Sequence, residues 1–226
     1  GKGIPVEKNA DGIWLPELVF ANLLSGSNFD DEKERLAGGM NGLGSKLTNI
    51  FSKEFRVRTG NYTQTCRDNM SVVEPAQIGG RKLEGVEITF VPDLARFGTT
   101  LEEYRTVAAK LFEARVYDLC ATTGDNVKLY FNGKMLKQRS LAHYIGMYPG
   151  ECKPAIDESC EQWKVGVLPA AKLAAVGWVN SIVCPAGTHV DHVVNQLVNA
   201  VAACKKFSGK DGVKAMIKSH LQVFVV

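Results

Sequence analysis

A mixed α/β fold is predicted for this chain, and three observations predict it. Segments that alternate in strand period, residues 55–58 and 87–91, interleave with segments of helical period. A glycine-rich loop, residues 38–46, runs into a short apolar helix pattern. A capping signal, Thr99 and Thr100 ahead of Glu102 and Glu103, opens a long helix. At 226 residues the chain suffices for one large domain or two small ones.

The elements follow in order. Gly1, Lys2, Gly3, Ile4 and Pro5 read as a tight turn. Pro16 opens a helix with Leu15, Leu18, Val19 and Leu23 on its inner face, and the SGSN at 25–28 ends it. The charged run 30–35 reads as a solvated, mobile segment, either a lid over a ligand or an exposed linker. After the loop, Leu43, Leu47, Ile50 and Phe51 fall on one helical face. The strand at 87–91 stops at Pro92-Asp93. The long helix points Tyr104, Val107, Ala108, Leu111, Phe112 and Leu119 inward and ends near Gly124. Val127, Leu129 and Phe131 lead to a hairpin turn at Asn132-Gly133. Residues 149–159 are polar and aperiodic, which suggests a domain boundary and a flexible joint. Beyond it come a strand carrying Trp163, Val165 and Val167 and a strand at 176–183. A helix at 189–207 follows, with Val190, Val193, Val194, Leu197, Val201 and Cys204 buried. An apolar strand at 221–226 closes the chain.

The glycine loop is the candidate site. Unpaired N–H groups at a helix start and the helix dipole attract anions. Glycine lets the backbone approach phosphate oxygens, and Lys46 adds a charge. The same residues also read as a turn that merely starts a helix. Two familiar loops are excluded. Ser45 precedes Lys46 where a Walker A motif needs glycine, and Leu47 stands where the dinucleotide fingerprint needs its third glycine.

No apolar run reaches membrane-spanning length, and the start GKGIPV has no signal-peptide pattern. The absence of an initiator Met and the apolar last strand suggest an excised piece. A net charge of +3 is too weak for tight electrostatic DNA binding by this piece alone. The six cysteines form no C-x-x-C pair and read as buried reduced thiols, with Cys152–Cys160 as one conceivable disulfide. His189 and His192 with Asp191 lack a third metal ligand.

The order of motifs is informative. GKGIPV is followed by LPELVFANLLSGSNFDD, GGMNGLGSKLTNIFS, QTCRDNM, ITFVPDLARF, VKLYFNGK and WVNSIVCPAGTHVDHVVNQL. Over nearly the whole chain this resembles the ATPase region of the eukaryotic-type type II DNA topoisomerases, in the superfamily of gyrase, heat-shock chaperone ATPases, histidine kinases and mismatch-repair ATPases.

The resemblance implies the C-terminal part of a Bergerat-type ATP-binding α/β sandwich, residues 1–149, and the start of an α/β transducer domain, residues 150–226. It implies ATP and Mg2+ as cofactors, and an ATP-hydrolysing isomerase that changes DNA topology as a homodimer acting on double-stranded DNA. Localisation would be nuclear, with mitochondrial or viral origin as alternatives. Gly1 and Gly3 would belong to the turn beside the adenine. Gly26, Ser27 and Asn28 match positions that contact nucleoside and phosphates. Gly39, Met40, Asn41, Gly42, Leu43, Gly44, Ser45 and Lys46 match the loop that wraps the triphosphate. Gly26 replaces a common serine, Met40 a usual arginine, and Val86 a threonine that often faces the adenine pocket. The family's catalytic glutamate and magnesium-binding asparagine are expected upstream of Gly1, and its transducer lysine downstream of Val226. The piece alone is therefore expected to be inactive, with no catalytic or metal residue of its own. Other readings are a mismatch-repair or chaperone ATPase, or a non-catalytic scaffold module.

Overall fold

The chain resolves into two compact units, Gly1–Thr106 and Val107–Val226. The computed structural model describes residues 1–26, 39, 41–124, 126–149, 152–160 and 162–226. The charged run read as a lid lies outside them.

The first unit begins with α1 (Leu15–Ala21), with Pro16 in its first turn. Next come α2 (Gly44–Ile50), β1 (Ser52–Arg67), β2 (Val72–Val73) and β3 (Gln77–Pro92). These strands form a three-stranded antiparallel sheet in the order β2-β1-β3. The two short strand signals at 55–58 and 87–91 were thus parts of two paired 16-residue strands. One face of β1 is closed: Phe55, Val57, Tyr62 and Cys66 form a core with Trp14 and Phe20, and Thr59 and Gln64 are buried in the same strand. Phe20 meets Phe55 at 6.0 Å between ring centres, and Trp14 meets Tyr62 edge-on at 6.1 Å. Val19 and Leu23, expected to face inward from α1, are exposed. Phe20 takes the core position because the sheet lies on its side of the helix. The QTCRDNM motif closes β1 in a turn whose Asp68, Asn69 and Met70 all have positive φ, at 50°, 60° and 66°. That turn is held by Asp68 N–H to Lys53 O and Asn69 N–H to Ser52 O, each at 3.0 Å.

Helix α3 (Leu101–Thr122) starts in the first unit and ends in the second. The capping box is formed: the Glu103 N–H donates to Thr100 Oγ1 at 3.3 Å and the Thr100 N–H donates to Glu103 Oε2 at 2.9 Å. These bonds, with those from the Thr99 and Thr100 hydroxyls, hold the Glu103 carboxyl below the usual carboxylate range. Thr100→Ala is expected to cost about 0.5–2 kcal/mol, read from the urea midpoint of Gly1–Val226. The Glu103 share of that cap should be present above the usual carboxylate pKa and lost as pH falls through the lowered folded value. A midpoint unchanged by Thr100→Ala would show that the cap does not hold in solution. Val107, Leu111 and Phe112, expected to be buried, are exposed, and burial concentrates instead at Cys120 and Ala121. Helical period identifies an apolar face but not which turns of it are covered.

In the second unit, β4 (Tyr130–Phe131) and β5 (Lys134–Met135) form the expected hairpin, with positive φ at Asn132 and Gly133. After α4 (Leu141–Ile145) come β6 (Ala155–Asp157), β7 (Val165–Pro169), β8 (Ala174–Val179) and β9 (Ile182–Cys184). Then follow α5 (Thr188–Ala203), α6 (Val213–Ser219) and β10 (Leu221–Val225). The sheet order is β6-β7-β10-β8-β9, so the last strand is the middle one. It is antiparallel to β7 and parallel to β8. Val223 and Val225 face α5 and α6, while Phe224 faces α4 and Trp178 on the other side. An unbroken apolar run suits a strand buried on both faces.

Several expectations change here. The stretch expected to be an aperiodic joint lies inside the second unit, and part of it is β6, paired to β7. The strand read at 176–183 is a hairpin, β8 and β9, turning at Asn180 and Ser181 with φ of 50° and 64°. Helix α6 was not among the expected elements, although Val213 and Ile217 stand one helical turn apart and are its buried pair. In α5 the buried stripe holds Val190, Val193 and Val194 but continues through Val198 and Ala202, whereas Cys204 ends the helix and is exposed. All six thiols are free, and Cys66 and Cys120 are the buried ones; Cys152 and Cys160, both exposed, form no disulfide.

Candidate functional site

Helix α2 presents its polar side to the interior. Leu47, expected on the buried face, is 49% exposed, and the buried side chains are Lys46 and Asn49. The reason lies in α1. The last four carbonyls of a helix lack intrahelical partners. The Ser25 hydroxyl donates to Leu18 O at 2.6 Å and accepts from Lys46 Nζ at 2.9 Å. The Ser45 hydroxyl donates to Val19 O at 3.2 Å, and Asn49 Nδ2 donates to Phe20 O at 3.1 Å. Three successive carbonyls at the end of α1 are thus taken up by Ser25 and by α2.

Lys46 is 2% exposed. Ser25 Oγ is its one hydrogen-bond acceptor among the described residues, and no described carboxylate pairs with it. Burial pushes the Lys46 ammonium below the ordinary lysine value. A buried ammonium carries three donors, so this site has capacity for an anion.

The glycine loop meets α1 directly. Gly42 has φ of +59°, and a Cβ there would lie 2.7 Å from Gly26 N. Only glycine permits that crossing. Gly26, expected from sequence as a contact position, is therefore brought together with Gly42, Ser25 and Lys46. Gly44 is the first residue of α2 and Leu43 caps it, with the Leu47 N–H donating to Leu43 O at 2.8 Å. Asn41 and Gly39 are exposed. Ser27, Asn28 and Met40 lie outside the described residues. Ser25 was read only as a helix end; its place beside glycine in SGSN was the available signal.

A separate cleft of about 780 Å³ is lined by residues 1–6, Gly60, Asn61, Lys82, Leu83 and Glu84. Gly1 and Gly3 border it. The Ile4 N–H on its wall donates to Thr59 Oγ1 at 2.9 Å. Val86 is exposed on β3, opposite Thr59. Among the described residues no group of three or more His, Cys, Asp or Glu side chains could hold a metal, which also removes the His189–His192 reading. The described residues thus do not by themselves fit a magnesium site. Among the described residues no helix is long and apolar enough to cross a membrane.

No family model matches the chain. It is 38% identical over 245 residues to the DNA topoisomerase 2 of Acanthamoeba polyphaga mimivirus, covering 100% of this chain and 19% of the relative. The ATPase and transducer domains of DNA topoisomerase II from Balamuthia mandrillaris superpose with a TM-score of 0.86 at 32% identity, covering 100% of this chain and 61% of that one. The ATPase region of Saccharomyces cerevisiae topoisomerase II gives a TM-score of 0.83 at 32% identity, again with 100% and 61% coverage. The chain therefore spans under a fifth of its curated relative and about three fifths of the two solved chains.

Proposed function

Because the chain belongs to the eukaryotic-type type II DNA topoisomerases and matches part of their ATPase region, we propose that it forms part of the ATP-binding and transducer region of an ATP-dependent enzyme that passes one DNA duplex through another. The observation that carries the reading is Lys46, a buried ammonium with no carboxylate partner among the described residues, beside the Gly26–Gly42 crossing. In this reading the triphosphate supplies the missing negative charge. By the family match, the loop from Gly39 to Lys46 wraps it, and Gly26, Ser27 and Asn28 are the positions that contact nucleoside and phosphates. The adenine lies beside Gly1 and Gly3. A mismatch-repair or chaperone ATPase is not favoured, since the relatives carry the name DNA topoisomerase 2.

Residues 1–149 serve nucleotide binding, and residues 150–226 begin the transducer. The five-stranded sheet lies wholly within the later stretch, starting at Ala155, while residues from Val107 onward share its compact unit. Phosphate contacts to the loop bias a two-state dimer interface, because a ligand shifts an equilibrium by its differential affinity for the two states. The parent is a nuclear homodimer acting on double-stranded DNA. Charge distribution supports the DNA reading better than net charge does. Between Lys205 and His220 stand five lysines against the single Asp211, more positive than the whole chain at +3. All five lysines are exposed, two of them on α6. Such a surface suits phosphate contacts. Bound magnesium would neutralise charge on the phosphates. Its ligand and the base for hydrolysis belong, in this reading, to the part of the ATPase region that this chain does not span.

Phosphate release by purified Gly1–Val226 with ATP and magnesium should stay at background, while the full-length parent should relax supercoiled plasmid only when ATP is present. Relaxation without ATP would overturn the reading. Turnover by Gly1–Val226 that vanishes in Lys46→Ala would place the base within this chain instead.

A further inference from the structure

We propose that Thr59 is a positioning residue that sets the gap between the two backbone walls of the base pocket, and through it the preference for a nucleoside triphosphate over bare polyphosphate. This rests on the nucleotide reading above.

The register of β1 against β3 breaks at Thr59. Thr59 pairs with Val86 but Gly60 pairs with Leu83, so Glu84 and Gly85 bulge out of the ladder. The Thr59 hydroxyl takes up what the bulge leaves open. It donates to Gly85 O at 2.9 Å and accepts from the Ile4 N–H at 2.9 Å. One hydroxyl thus ties the glycine turn at the chain start to the β3 bulge. Both segments are held close. Gly3 has φ of +78°, and a Cβ there would lie 2.8 Å from Thr59 Oγ1 and 2.9 Å from Gly85 O. Gly85 in turn has φ of +109°. The cleft beside this junction is lined by the turn and by Lys82, Leu83 and Glu84 of the same hairpin.

Threonine suits the position for two reasons. Its hydroxyl donates and accepts at once, and its β-branch restricts the rotamer that aims it. With an exposure of 0%, Thr59 cannot touch a ligand, so it acts through the walls. The phosphate end is held elsewhere, at Lys46 and Gly42. Loss of the Thr59 hydroxyl should therefore disturb base binding and spare phosphate binding.

The test titrates Gly1–Val226 with ATP and with inorganic tripolyphosphate, followed by amide chemical shifts. Thr59→Val should lower ATP affinity about tenfold, as expected when buried partners lose a hydrogen bond, with tripolyphosphate affinity unchanged. Thr59→Ser keeps the hydroxyl and should retain wild-type ATP affinity, a rescue that general destabilisation of the sheet would not produce. An equal loss for both ligands, no loss for either, or failure of Thr59→Ser to rescue overturns the proposal. If Thr59→Val does not fold, Thr59→Ala, which also lacks the hydroxyl, must show the same selective loss; an even loss overturns the proposal. A wild-type chain that binds neither ligand overturns the nucleotide reading itself, and this inference with it.

Discussion

Lys46→Ala in the full-length parent is expected to weaken ATP by about tenfold or more and ADP by less, since a hydrogen bond to a charged group contributes roughly 1.5–3 kcal/mol. The structure explains why the loss should be selective and not merely structural. Ser25 keeps its own bond to Leu18 O at 2.6 Å whether or not Lys46 is present, so the end of α1 stays capped. What disappears is a buried cation with no carboxylate partner among the described residues, and the γ-phosphate brings the extra charge that distinguishes ATP from ADP. Calorimetric titration with a non-hydrolysable ATP analogue and with ADP provides the measurement. Equal losses would put Lys46 away from the γ-phosphate. The same residue makes a second, ligand-free signature. Its folded pKa lies below its unfolded one, so the unfolded chain holds this proton more tightly over that interval and the Lys46 contribution to stability should rise with pH. The penalty of the buried charge is complete below the folded pKa and is relieved as pH climbs to the ordinary lysine value. Burial of the Tyr62, Tyr144, Cys66 and Cys120 acids acts in the opposite direction as pH rises, so the Lys46 share is read as the difference between wild type and Lys46→Met; a difference independent of pH in the alkaline range would contradict the burial of the charge.

Phe224→Ala should cost about 3–5 kcal/mol, the range for removing a buried phenylalanine from a core. Phe224 is 0% exposed on the middle strand of the second unit. Its ring meets Tyr148 edge-on at 4.9 Å and Tyr144 at 6.3 Å, and it packs in one cluster with Leu141, Ile145, Leu168 and Trp178. Removing it opens a cavity against three aromatic side chains that cannot collapse inward without moving α4. The exposed Val72→Ala serves as the comparison and should change stability by no more than about 0.5 kcal/mol. Urea denaturation of Gly1–Val226, followed by tryptophan fluorescence, reads both. A loss at Phe224 no larger than that at Val72 would mean that β10 does not lie between β7 and β8.

The sequence by itself determined the α/β class, the capping box at Thr100 and Glu103, the Asn132-Gly133 hairpin and the core stripe of α5 up to Val194. It also carried the order of motifs from GKGIPV to GTHVD by which the family was recognised. Each of these rests on bonds between near neighbours, or on a period that the chain displays within one element. Only the tertiary structure decided which side of α2 is inside. The four apolar residues there pointed one way, but the carbonyls at the end of α1 needed donors, and Ser45, Lys46 and Asn49 lay within reach of that need. The place of β10 in the middle of its sheet, and the role of Thr59 between Ile4 and Gly85, were likewise hidden. Their partners lie far away along the chain, and a hydrogen bond between distant segments leaves no period in either one.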